Sequence, residues 1–322
     1  VGCSAKDGGG VMIREESNLF TRSGAMIEGC SASNQGGGLA IFGDAVADME
    51  NTTVRLCIAM YGGGILSDGC LVNFRRSLVA QNVALEGGFG GGAFLTKGAR
   101  GSATKETEFR ANVATKGGGL YIEYLSYMYI YESTLRANEA IYDGGGAFIN
   151  GALMFLKDAL LKANMAEDEG GGVNVQNGGN LTTEGARFDQ NAVGGREDTG
   201  AGVGSHIVFG RSSLGSLRTS AFVGGRALAS GGVYATEAII EVDRCDFERN
   251  YAQEGSALML ERTTKAQIWS SQWRDNTATT NDGAAVLVRG EVRAEFVSCE
   301  IGPRNTAPKG RGGGMHIDKQ GR

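Results

Sequence analysis

Apolar residues recur along this chain in pairs two positions apart, and each pair follows a short run of glycine. The pairs include Val11/Ile13, Leu39/Ile41, Leu120/Ile122, Ala147/Ile149, Val173/Val175, Leu258/Leu260, Val286/Val288 and Met315/Ile317. Alternation at period two marks a short strand with one buried face. The glycine starts fall at Gly8, Gly36, Gly62, Gly90, Gly117, Gly144 and Gly170, continue in eroded form at Gly200, Ser230, Gly255 and Gly283, and return as a triplet at Gly312. The eroded coil at Gly200 assigns Val203/Ser205 as its inward pair. Intervals run from 25 to 30 residues with a mean near 28, a period that belongs to a solenoid. Glycine there suits a sharp bend where neighbouring backbones lie close.

A second signature closes each coil. Asn-x-Ala, or a close variant of it, occurs at Asn82, Asn112, Asn138, Asn164, Asn250, Asn276 and Asn305, and Asn191 is a further variant. Three residues earlier stands an apolar residue such as Val79, Phe109, Leu135, Leu161, Phe247 or Trp273, and a further apolar column runs through Phe74, Ile130, Leu156, Val242 and Ile268. Three short apolar segments per coil, separated by bends, predict a three-sided solenoid. Helical repeats would need apolar residues at i, i+3, i+4 and would not carry glycine triplets, and a propeller blade needs about 40 residues. The expected fold is all-β: a right-handed parallel β-helix of about 11–12 coils, three short strands per coil. It spans residues 1–322 as a single domain and reads as a segment of a longer chain.

Equivalent residues of successive coils stack, so the Asn column predicts a structural ladder of side-chain amides. Cys3, Cys30 and Cys57 stand where later coils place Asn. Strand spacing falls within the Cα window of a disulfide, but stacked side chains point the same way. Buried thiols packed as small hydrophobes are the preferred reading, and an inter-coil bridge is the alternative.

Between each inward pair lies an outward position. From the third coil it reads Leu66, Phe94, Tyr121 and Phe148, where solvated strands carry Thr, Lys, Glu or Ser. A strip of this kind exceeds what a monomer exposes, so these residues are a candidate interaction face unless a loop or flanking segment covers them. Tyr127, Tyr129 and Tyr131 form a second aromatic patch on the next face of one coil.

Composition narrows the function. A net charge of −5, without blocks of like charge, leaves no footprint for nucleic acid, and no apolar run is long enough for a transmembrane helix. Only two His occur, His206 and His316, about four coils apart, and no nucleophile elbow, phosphate loop or zinc-protease motif is present. Glu167-Asp168-Glu169 reads as a solvated turn, since one acidic loop supplies too few fixed oxygens for calcium. No cofactor, metal or catalytic site is expected. Asn51 and Asn180 head glycosylation acceptor triplets in a secreting eukaryote.

Gly91-Gly92-Ala93-Phe94 and Gly145-Gly146-Ala147-Phe148, together with the Phe-x-x-Asn runs Phe109–Asn112, Phe188–Asn191 and Phe247–Asn250, resemble the repeats of chlamydial polymorphic outer membrane proteins and related β-helix proteins of pectin-lyase-like architecture. The resemblance covers essentially the whole chain. It implies a surface-exposed adhesive or structural passenger region. The expectation is therefore a non-enzymatic structural or adhesive rod, extracellular or at the cell surface, that contacts a protein partner or assembles with itself. Two alternatives stay open: a carbohydrate-binding or polysaccharide-cleaving β-helix, and a rigid accessory subunit of a large intracellular complex.

Overall fold

In the computed structural model, which describes residues 2–194 and 202–318, every regular element is a strand and all pairing is parallel. The chain is a parallel β-solenoid of about eleven coils. Its residues group into two compact units, Val1–Leu160 and Leu161–Arg322.

The first unit shows how a coil is made. A start strand follows each glycine run (Leu39–Phe42, Ile65–Asp68, Ala93–Thr96, Leu120–Glu123). A middle strand comes next (Val46–Glu50, Leu71–Arg75, Arg100–Thr104, Tyr127–Tyr131). A ladder strand precedes the Asn position (Thr53–Arg55, Leu78–Ala80, Glu108–Arg110). These are the three segments anticipated from the apolar columns. A fourth, the approach strand, runs from the Asn position to the next glycine (Ile58–Tyr61, Val83–Phe89, Val113–Lys116). The coil thus has four strands where three were expected. The only apolar side chain these approach strands bury is that of their second residue, Ala59, Ala84 and Ala114, so they leave almost no apolar period to read.

In the start strands register passes unchanged from coil to coil: Leu66 lies opposite Phe94, Phe94 opposite Tyr121, and Tyr121 opposite Phe148. Each strand therefore satisfies its backbone donors and acceptors on the coils above and below. The middle strand alternates strictly, with Val72 and Phe74 inside while Leu71 stays exposed. Phe74 meets Phe109 edge-on with centroids 5.4 Å apart, inside the coil.

The glycine runs have a steric cause. Gly36 has φ +62°, a left-handed bend that side chains resist. A Cβ on Gly37 would lie 2.3 Å from the Gly63 carbonyl oxygen, so the second glycine is required by backbone approach. At the third, a Cβ on Gly64 would come 2.9 Å from the Asn82 amide nitrogen. The glycine run and the Asn of the same coil are two halves of one packing unit.

Asn82 Nδ2 donates to the Val54 carbonyl and to Asn112 Oδ1, both at 3.0 Å, while Asn112 Oδ1 also accepts from the Asn82 backbone N–H at 3.0 Å. Asn112 repeats this toward Val79 and Asn138. Cys57 does so weakly: its Sγ–H lies 3.8 Å from the Ile27 carbonyl, the equivalent acceptor one coil earlier. No cysteine is bridged to another; Cys30 and Cys57 are buried thiols and Cys3 is exposed.

The second unit keeps the plan with shorter approach strands, two residues at Met165–Ala166, Ala192–Val193, Tyr251–Ala252 and Thr277–Ala278. Its core carries a stack of rings, Phe188, Phe222, Phe247 and Trp273, with successive centroids 5.0, 4.8 and 5.3 Å apart. One coil corrects the sequence reading. The expected start at Gly200 lies outside the described residues, and Val203/Ser205 is not the inward pair. The bend is made at Gly204 (φ +64°), followed by Ser205 and His206, and the start strand is Ile207–Phe209. The four-residue slip reflects extra chain placed before the bend, which spacing alone assigned to the strand.

In that coil His206 stands where most coils carry the third glycine, and Gly225 stands where most carry Asn. A Cβ on Gly225 would lie 2.7 Å from His206 Nε2. The imidazole fills the space of the missing amide: its Nδ1 is 3.0 Å from Asn191 Nδ2, and the Gly225 backbone N–H still donates to Asn250 Oδ1 at 3.0 Å. Below and above the gap the amides continue, Asn164 Nδ2 to Asn191 Oδ1 and Asn250 Nδ2 to Asn276 Oδ1, then Asn276 Nδ2 to Asn305 Oδ1.

Candidate functional site

The strip proposed from the sequence as a contact face is covered by the chain itself. Leu66, Phe94, Tyr121 and Phe148 are 1–7% exposed and pack under Phe42, Tyr61 and Phe89. Tyr61 and Phe89 close approach strands, and Phe42 closes a start strand. The Val83–Phe89 strand is seven residues long where its predecessor has four, and after this bulge Phe89 returns to register with Tyr61 on one side and Lys116 on the other. Phe89 stacks on Tyr121 at 4.7 Å and 13°, and Tyr121 stacks on Phe148 at 5.2 Å and 3°. Lys116 caps the end, 5.1 Å above the Phe148 ring and 2.6 Å from Asp143. Burial raises the Tyr121 hydroxyl pKa well above its ordinary value, assisted by the nearby Glu123 carboxylate. These four residues form a satellite core on the outside of the coil, so they are not an exposed interaction face.

Tyr127, Tyr129 and Tyr131 occupy the outer side of a middle strand, Tyr127 exposed and the other two half-buried. Tyr129 stacks on Phe155 of the next coil at 5.4 Å and 14°, and lies 6.2 Å from Tyr131. Leu153, opposite Tyr127, is exposed. The Glu132 carboxylate beside Tyr131 shifts that hydroxyl pKa upward.

The corner leading into this strand adds two residues that sequence reasoning missed. Tyr124 is 64% exposed and Leu125 85% exposed, and both adopt left-handed backbone, φ +49° and +60°. The same corner in neighbouring coils carries Gly43-Asp44, Gly69, Lys97-Gly98 and Gly151. Left-handed backbone costs a bulky residue about 1 kcal/mol, and an exposed Leu gains no burial in return. Leu125 in a column of Gly, Asp and Lys was the available signal. Tyr124, Leu125, Tyr127, Tyr129, Leu153 and Phe155 together make an exposed aromatic and aliphatic surface within the first unit.

Metal-ligating side chains do not gather comparably among the described residues. No three His, Cys, Asp or Glu among the described residues are placed to hold a metal ion. The Glu169 carboxylate accepts from Asn174 Nδ2 at 3.1 Å and Gln176 Nε2 at 3.2 Å. His316 Nε2 lies 3.4 Å from Asp282, while burial holds the His206 pKa down to about 3.

The thiols follow the same rule. Burial pushes Cys57 up to about 11 and Cys245 up to about 12. At neutral pH in the folded protein, both are expected to resist a maleimide that labels the exposed Cys3. Mass spectrometry before and after adding denaturant checks this, and modification of Cys57 in the native state would contradict it.

Comparisons of the chain with protein families, curated proteins and solved structures found no match.

Proposed function

We propose that the chain is a non-enzymatic structural or adhesive β-solenoid of an extracellular or cell-surface assembly, making protein contacts through the face centred on Tyr127. The observation that carries this reading is the pair Tyr124 and Leu125, apolar, exposed and in strained backbone at a corner where glycine and charged residues serve elsewhere. Large apolar side chains left exposed at a corner point to use rather than to folding. Tyr and Leu anchors on a flat sheet face suit a protein partner, and another copy of the chain is the first to test. The rings of Tyr129 and Phe155 stack on one another, which takes one face of each from a sugar and favours protein over carbohydrate. The likeness of the repeats to the passenger regions of chlamydial outer membrane proteins agrees with this reading.

Sedimentation velocity on the chain and on Leu125→Asp/Tyr127→Ser tests it. Concentration-dependent association is expected, weakened at least about ten-fold by the paired substitution at unchanged melting temperature. A chain that remains monomeric at about 100 μM, or associates equally well when substituted, would overturn the assignment.

A further inference from the structure

A cleft of about 550 Å³ opens in the second unit, lined by Arg187, Asp189, Gly224, Arg226, Arg249 and Tyr251 among others. Two stacked columns explain it. Ala192, Arg226 and Tyr251 follow one another along one column, joined by backbone bridges. Gln190, Gly224 and Arg249 occupy the corner column beside it, with φ +54°, +66° and +54°. Glycine at the centre of one column and alanine at the foot of the other remove the side chains that would fill the middle, and the long residues around them become walls.

The walls are basic on a chain whose net charge is −5. Arg187, Arg226 and Arg249 face one lining carboxylate, Asp189, which leaves an excess of two positive charges. Asp189 is shared by Arg187 at 3.8 Å and Lys162 at 3.5 Å, and Arg249 pairs with Glu248 at 3.2 Å. Arg226 makes no ion pair among the described residues, although its backbone is held by the Asn191 carbonyl at 3.3 Å. A fixed backbone therefore presents to the cleft a guanidinium that no described carboxylate pairs, next to the half-exposed ring of Tyr251.

The geometry points to a binding site for a phosphate or sulfate monoester carried on a flat ring, with Arg226 and Arg249 holding the oxyanion and Tyr251 stacking on the ring. Guanidinium forks match tetrahedral oxyanions through paired N–H donors, and the volume falls in the range of small-ligand sites. This site stands apart from the Tyr127 face and does not depend on it.

Calorimetric titration with phenyl phosphate, phenyl sulfate and inorganic phosphate at low ionic strength tests the assignment. Saturable binding of a phenyl ester is expected, and the tighter ester identifies which oxyanion the cleft takes. Arg226→Gln/Arg249→Gln is expected to weaken binding at least about ten-fold. Tyr251→Ser is expected to reduce the phenyl ester to the affinity of the inorganic ion. Arg226→Gln alone serves if the paired variant melts early. No saturable binding up to about 10 mM, or equal binding by natively folded Arg variants, would overturn the site.

Discussion

Asn112→Ala is expected to destabilise the protein by about 3–4 kcal/mol, although it removes only a small polar side chain. Asn112 Oδ1 accepts from two donors of Asn82, and its Nδ2 donates to the Val79 carbonyl and Asn138 Oδ1. The site is fully buried, so water cannot replace those partners. Each orphaned buried group costs about 1–3 kcal/mol, and the Asn82 backbone N–H and Val79 carbonyl are the most exposed to that loss. The His206 coil supports the size of the effect. Where the ladder lacks its amide at Gly225, a ring from another position fills the volume and meets Asn191. Asn112→Ala has no such neighbour, because the third glycine of its coil, Gly92, carries no side chain. Urea unfolding of both proteins measures the difference; a loss below about 1 kcal/mol would show that the ladder is dispensable.

The second large effect is acid sensitivity through His206. This imidazole is fully buried against Phe188 and Phe222, with the Asn191 and Asn250 amides on either side and the Arg187 charge nearby. Burial first, and the Arg187 charge last, hold its pKa down to about 3 from an ordinary 6.5. The folded state therefore keeps the ring neutral where the unfolded chain protonates it. Stability from this group is complete above about pH 6.5 and falls as pH drops toward about 3, reaching a loss of roughly 3 kcal/mol by about pH 4. His206→Gln retains a polar group that can meet Asn191 but does not titrate. Carboxylates contribute equally to both proteins, so the difference in urea midpoint between pH 8 and pH 4 isolates the histidine. Parallel pH profiles for the two proteins would refute this role. A neutral-pH cost of His206→Gln alone would not, since packing also changes.

Most of the coil architecture was legible in the order of residues. Repeated Gly-Gly-Gly and Asn-x-Ala elements define one another sterically, because a Cβ at Gly64 would meet the Asn82 amide. A constraint of that kind recurs in most coils and leaves a period. The corners left none. Arg76, Gln81, Ala111 and Ala137 all take left-handed backbone, with φ between +49° and +55°. Nothing in an Arg, Gln or Ala announces that conformation. It is imposed by stacked strands whose hydrogen bonds offset about 1 kcal/mol of strain at each corner.

The candidate surface divides the same way. The apolar character of Leu66, Phe94, Tyr121 and Phe148 could be read from their column, and so could the aromatic run at Tyr127, Tyr129 and Tyr131. Whether either met water could not. That depended on the ends of neighbouring strands, Phe42, Tyr61 and Phe89, which pack over the first group and close it into a core. In the second group Tyr127 stays exposed and Tyr129 and Tyr131 half-buried. Local sequence determined the strands, the bends at glycine and the ladder, because each rests on contacts repeated at a fixed period. Which apolar column became surface, which ring filled the ladder's gap and which arginines came to share a cleft were decided by tertiary stacking. Those outcomes hang on single insertions and single missing side chains, which carry no period to read.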